Sequence, residues 1–223
     1  MSDQILKFSS ITKKVWMSLL GSFLLIFLVV HLSINLCLLR DDGGRWFNDA
    51  AHFMGTNYVV KVLEVVLFAG IILHIVLGII LQVQNWMSRP VRYAVSNRSV
   101  TPFLSKYMIY TGGIVLVFMI IHFLNFYFIK LGWVSNPNLF PDGEPNFYVI
   151  ARELFIIPQY SILYIVLFVA LGFHLFHAFE SAFQSLGLNH KSYTPAIELA
   201  AKIYAVVIPL GFIIIPVYFL LFR

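Results

Sequence analysis

The chain has 223 residues, of which 60% are hydrophobic and only 11% charged, with a mean hydropathy of +0.87. So few charges cannot cover a soluble domain of this length, which excludes an ordinary water-soluble protein and predicts an integral membrane one. The net charge of +5 comes from basic residues spread over loops, without the dense cluster that a nucleic-acid surface requires.

A hydrocarbon core about 30 Å thick asks for about 20 apolar residues rising about 1.5 Å each, and five runs reach that length. The first extends from about Val15 to Leu39. Lys13 and Lys14 before it imitate the start of a signal peptide, but the run is too long and lacks a small-residue cleavage site, so it reads as a retained span. The second extends from about Tyr58 to Trp86, long enough to tilt, and the third from about Phe103 to Lys130. Asn136 to Asn146 (NPNLFPDGEPN) is too rich in breakers to continue a helix. The fourth run extends from about Tyr160 to Leu186. The fifth, from about Leu199 to Phe222, carries Pro209 and Pro216, which predict a kink. Nothing else is long enough for a soluble domain, so residues 1–223 read as one all-α, five-helix membrane bundle.

Basic residues near the span ends set the expected orientation. Lys7, Lys13, Lys14, Arg89, Arg92, Arg98, Lys106, Lys191 and Lys202 fall on one side, and Arg40, Arg45, Lys61, Lys130, Arg152 and Arg223 on the other. Nine against six places the N-terminus in the cytoplasm and the C-terminus outside.

Four of the runs contain histidine: His31 in the first, His74 in the second, His122 in the third, His174 and His177 in the fourth. Lipid offers an imidazole no partner, so each needs one within the protein. Helices can share a metal only where their ligands lie at one height. His31, 16 residues after Val15, is about 24 Å along an outward-going helix, and His122 lies in the same outer half of another. His74 and His174, on inward-going helices, have both passed the middle toward the cytoplasm. Two level pairs emerge.

The flanks match within each pair. FLVVHL (Phe27 to Leu32) and FMIIHF (Phe118 to Phe123) each follow a glycine ten residues before the histidine, Gly21 and Gly112. Gly70-xxx-His74-xxx-Gly78 and Ala170-xxx-His174-xxx-Ala178 place small residues one turn to either side, a face against which a porphyrin fits. His177, flanked by Phe173 and Ser181, is the weaker ligand of the fourth helix.

Two axial imidazoles make a six-coordinate haem suited to electron transfer. Zinc calls for three or four converging donors, and each level offers two. The competing explanation without a cofactor is hydrogen bonding across helices. The single cysteine, Cys37, excludes an intramolecular disulfide, and no C-x-x-C-H is present, so a haem would be held noncovalently. Two haems about 15 Å apart by helix rise form a wire across the membrane. The chain has neither a dinucleotide fingerprint nor the cysteines of an iron-sulfur cluster, so the redox chemistry at one end belongs to another subunit. Arg89, Arg92 and Arg98 offer a docking face or headgroup contacts.

With histidines in the first four spans and none in the fifth, the chain resembles the single-chain, five-helix, di-haem cytochrome b anchor of succinate:quinone oxidoreductases, over nearly its whole length. The RPVRYAV stretch (Arg89 to Val95) is similar to the version found in Bacteroidetes-type bacteria, which implies menaquinone. The resemblance implies a multi-pass subunit of a bacterial inner membrane, in the respiratory chain and tricarboxylic acid cycle. Its partners would be a flavoprotein and an iron-sulfur protein on the cytoplasmic face, with higher oligomers compatible. It implies two haem b groups, a distal one on His31 and His122 and a proximal one on His74 and His174. In some quinol:fumarate reductases of this type a proton-path glutamate lies two residues before the fourth-helix ligand. Here that position is Gly172, which points to succinate oxidation.

Quinone chemistry needs a proton donor or acceptor near a haem edge and the membrane surface. Glu64 is the candidate, against a reading in which it only pairs with Lys61. Trp46, Asp49 and His52 could complete a pocket, although aromatic residues are common at interfaces. His177, Ser18 and Gln184 are candidates for the periphery of the proximal haem, with interhelical hydrogen bonding as the alternative. Glu180 fits beside propionates only if protonated or paired. Two other readings are a quinol:fumarate reductase or hydrogenase-type cytochrome b subunit, and a proton-coupled transporter.

Overall fold

The computed structural model describes residues 10–87, 108–140, 143–188 and 190–222. Among the described residues five helices are long and apolar enough to cross a membrane. They are α1 (Ser10–Asn35, extended to Leu39 by a 3₁₀ turn), α3 (Tyr58–Met87), α4 (Met108–Lys130), α6 (Pro158–Ser185) and α7 (Thr194–Leu221). Two short helices, α2 (Arg45–Thr56) and α5 (Phe147–Ile156), join them. Among the described residues there is no strand, only an isolated bridge between Leu139 and Pro145.

Spans expected from apolar runs begin earlier in the structure, at Ser10 in α1 and Thr194 in α7. Helical backbone continues past the apolar stretch because Lys13, Lys14 and Glu198 are all compatible with a helix. Phe103 to Tyr107 of the third expected span lie outside the described residues. Pro158 stands at the start of α6, where its missing N–H costs nothing. Asn146 caps α5 by accepting from the Val149 amide at 3.2 Å.

Packing partners define the cross-section. α1 packs on α3 and α6, α4 packs on α6 and more lightly on α3, and α7 lies against α6 and α1. The four histidine-bearing helices therefore form a square in the order α1, α3, α4, α6. α1 and α4 face each other across one diagonal, α3 and α6 across the other. The fifth long helix, without a histidine, is the most enclosed of the spans.

Glycines at the α7 seam explain why. Pro209 has no N–H for the Ala205 carbonyl one turn before it, and the α6 backbone approaches at that point. A side chain at Gly172 would begin 3.1 Å from Ala205 O and 3.2 Å from Pro209 Cγ. Tyr204 Oη donates to Leu25 O of α1 at 2.6 Å. α7 runs as one helix through both prolines.

α2 and α5 sit together at one end of the bundle. Asn48 Nδ2 donates to Asn146 Oδ1 at 3.0 Å, and Asn48 Oδ1 accepts from Tyr148 N at 3.1 Å.

Gly172→Val forces the α6 and α7 backbones apart and is expected to lower stability by about 1–3 kcal/mol. A Cβ at Gly113 meets no atom within 4 Å, so Gly113→Ala is expected to leave stability unchanged or slightly raised. Thermal unfolding in detergent measures both.

Candidate functional site

Each of the four square helices brings a histidine toward its diagonal partner. α1 and α4 barely approach at the backbone, yet the rings of His31 and His122 stand 5.9 Å apart, centroid to centroid, at 89°. An imidazole nitrogen binds a metal at about 2 Å and lies about 1 Å from its ring centre, so two rings on one metal have centres about 6 Å apart. The pair stands at that spacing.

Aromatic rings enclose it. Phe27 stacks on His31 at 5.2 Å and Phe212 lies at 5.7 Å, while Phe118 and Phe126 pack on His122 at 5.8 and 5.1 Å. Such a lining suits a flat hydrophobic macrocycle and keeps water out. His122 Nδ1 is buried without a hydrogen-bond partner, an uncommon state for a buried polar atom.

The second level lies ten residues, about 15 Å, along α1 and α4, where Gly21 and Gly112 stand. A Cβ on Gly21 would lie 3.8 Å from His74 Cε1, and one on Gly112 would lie 3.5 Å from His174 Cε1. At both positions an imidazole from another helix stands at ordinary contact distance from where a side chain would begin. His174 is within charge–charge range of His74. His74 Nδ1 is buried and unpartnered, whereas His174 Nδ1 meets Thr111 Oγ1 at 3.3 Å. Gly70 and Gly78, expected to offer a face to a porphyrin, abut Phe23 and Met17 of α1 instead. They are packing positions, and the glycines that touch histidines are those of α1 and α4.

Among the described residues no three His, Cys, Asp or Glu side chains converge. Two imidazoles per level, in an apolar surround, fit axial ligation of a haem and do not fit zinc.

The remaining predicted residues are more scattered. His177 is buried with Nε2 unpartnered and packs against Phe176 at 5.1 Å. Ser18 is buried, but its hydroxyl donates to Lys14 O in its own helix at 2.9 Å. Gln184 is exposed and donates to Glu180 Oε1 at 2.8 Å. Arg89, Arg92, Arg98 and the rest of the RPVRYAV stretch lie outside the described residues.

Glu64 has partners other than the one expected. Its carboxylate accepts from Tyr127 Oη at 2.8 Å and forms an ion pair with Lys130 Nζ, also at 2.8 Å, both on α4. Lys61 contributes only a more distant charge. A π-helical turn over Phe123–Tyr127, directly after His122, sets this register. The same turn lets Asn125 Nδ2 donate to the buried Tyr164 Oη at 2.9 Å. Trp46, Asp49 and His52 are exposed on α2, and Trp46 carries the Arg40 guanidinium 4.3 Å above its ring.

Sequence reasoning missed Asn35, Thr111, Tyr127 and Lys130. Asn35 donates to His31 O at 2.8 Å and brings the same nitrogen to 3.4 Å from His31 Nδ1. Spacing alone could have flagged it, since it stands one turn from His31. Thr111 and Tyr127 act across helices and leave no such signal.

No family model matches the chain, and no curated protein or solved structure is similar enough to count as a relative.

Lys130→Met is expected to cost about 1 kcal/mol, because the pair is only partly exposed, and Lys61→Met less than about 0.5 kcal/mol. A double-mutant cycle with Glu64→Gln, read by thermal unfolding, separates the two.

Proposed function

We propose that this multi-pass membrane protein is the di-haem cytochrome b anchor of a succinate:quinone oxidoreductase. In this reading it carries electrons between an iron-sulfur subunit and a membrane quinone. The observation that supports it is the pairing of four imidazoles across the two diagonals of one helical square, with His31 and His122 already at metal-clamping distance. A haem with two axial imidazoles supplies reversible one-electron transfer and leaves no position open for a substrate.

In this reading His31 and His122 hold the distal haem, and His74 and His174 the proximal one. Phe27, Phe118, Phe126 and Phe212 exclude water from the first pair. Glu64 holds or delivers the proton that quinone reduction consumes, at its carboxylate oxygens, while Tyr127 and Lys130 keep the carboxylate oriented. The N-terminus faces the cytoplasm of a bacterial inner membrane, where the flavoprotein and iron-sulfur partners dock, and the quinone is menaquinone.

One observation bears on direction. The position of the proton-path glutamate of some fumarate reductases is Gly172, pressed against Ala205 O and Pro209. A glutamate there would meet backbone, which favours the succinate-oxidising form over its fumarate-reducing counterpart.

A reduced-minus-oxidised visible spectrum of membranes containing the complex tests the reading, and a preparation without a b-type signal overturns it. Alanine at His31, His74, His122 or His174 is expected to remove one haem each, and His177→Ala none. Glu64→Gln is expected to slow quinone reduction at least about 100-fold while both haem spectra stay intact.

A further inference from the structure

We infer that Thr111 is a positioning residue for His174: its hydroxyl oxygen fixes the proton on Nδ1, leaves Nε2 as the bare ligating nitrogen and makes that nitrogen the more electron-rich. The inference rests on the haem-anchor reading and extends it to a residue outside the ligand set.

The argument follows from counting protons. A threonine hydroxyl has one proton and two acceptor lone pairs. Thr111 Oγ1 donates to the Met108 carbonyl at 3.0 Å, the shorter of its two polar contacts and the one to a group that can only accept. The same oxygen lies 3.3 Å from His174 Nδ1. With its proton directed to Met108, Oγ1 acts there as the acceptor, and Nδ1 must carry hydrogen. A neutral imidazole has one N–H, so the lone pair is left on Nε2, the form in which a histidine ligates through that atom.

Position reinforces the assignment. Gly112 follows Thr111 directly, and its missing side chain admits the His174 ring to 3.5 Å from where a Cβ would be. The two residues form a seat: glycine gives the ring room and threonine orients it. The other three histidines have nothing equivalent. His74 Nδ1 and His122 Nδ1 have no partner, and His31 Nδ1 faces the amide nitrogen of Asn35, a donor. An acceptor on the far nitrogen raises the basicity of a ligating imidazole and stabilises the oxidised metal, so Thr111 should lower the reduction potential of the centre that His174 serves, and of no other.

Redox titration and low-spin EPR of the intact complex test this with Thr111→Val, which keeps the shape and removes the hydroxyl, and Thr111→Ser, which keeps the hydroxyl. The expected result is an upward shift in the midpoint potential of one haem in Thr111→Val, together with a moved EPR signal. That haem is the one lost in His174→Ala, and Thr111→Ser matches the unsubstituted complex. Loss of that haem in Thr111→Val with retention in Thr111→Ser supports the inference equally. Unchanged potentials in Thr111→Val, equal shifts or equal loss in both variants, or a shift in the haem lost in His31→Ala would overturn it while the anchor reading stands. An unsubstituted complex without haem overturns the anchor reading, and this inference with it.

Discussion

A buried imidazole in a bilayer has no solvent to turn to, and the arrangement of this bundle answers that constraint helix by helix. His31 and His122 are brought ring to ring across helices whose backbones scarcely meet. His74 and His174 lean over glycines of α1 and α4. Two buried Nδ1 atoms, on His74 and His122, are left without any protein partner. Hydrogen bonding between helices reaches His174 through Thr111 and leaves those two nitrogens out.

The five spans were legible because an apolar run of bilayer length has few other uses. The pairing by height was legible because rise per residue is nearly constant along a helix. The contacts between neighbouring helices were not, since one-dimensional spacing carries no information about which seam each side chain enters. Gly21 and Gly112 were visible as a repeated interval before a histidine, but each serves a histidine on a different helix from its own. Gly70 and Gly78 looked equivalent to them and turned out to meet ordinary packing neighbours, Phe23 and Met17. α2 and α5 escaped notice because they are short and carry a mixed composition between the long runs.

Glu64 illustrates the same limit at the level of one side chain. The nearest base in sequence is Lys61, one turn away, while the base that reaches the carboxylate is Lys130 on another helix. Proximity along a helix competes poorly with a partner that arrives face-on from across a seam. Gly172 makes the complementary point. Its lack of a side chain reads as a missing functional group in a comparison of sequences, and as a helix contact in three dimensions, where Ala205 O and Pro209 occupy the space.

The π-turn at Phe123–Tyr127 separates two duties carried by a single helix. Such a turn contains one residue more than the regular spiral accommodates. Everything beyond it is consequently rotated by about 100° relative to an uninterrupted helix, while His122 before it keeps its place. The half of α4 that carries His122 and the half that carries Tyr127 and Lys130 therefore take their rotational settings separately. A lineage could delete or restore that surplus residue and redirect Tyr127 and Lys130 without disturbing the imidazole that faces His31.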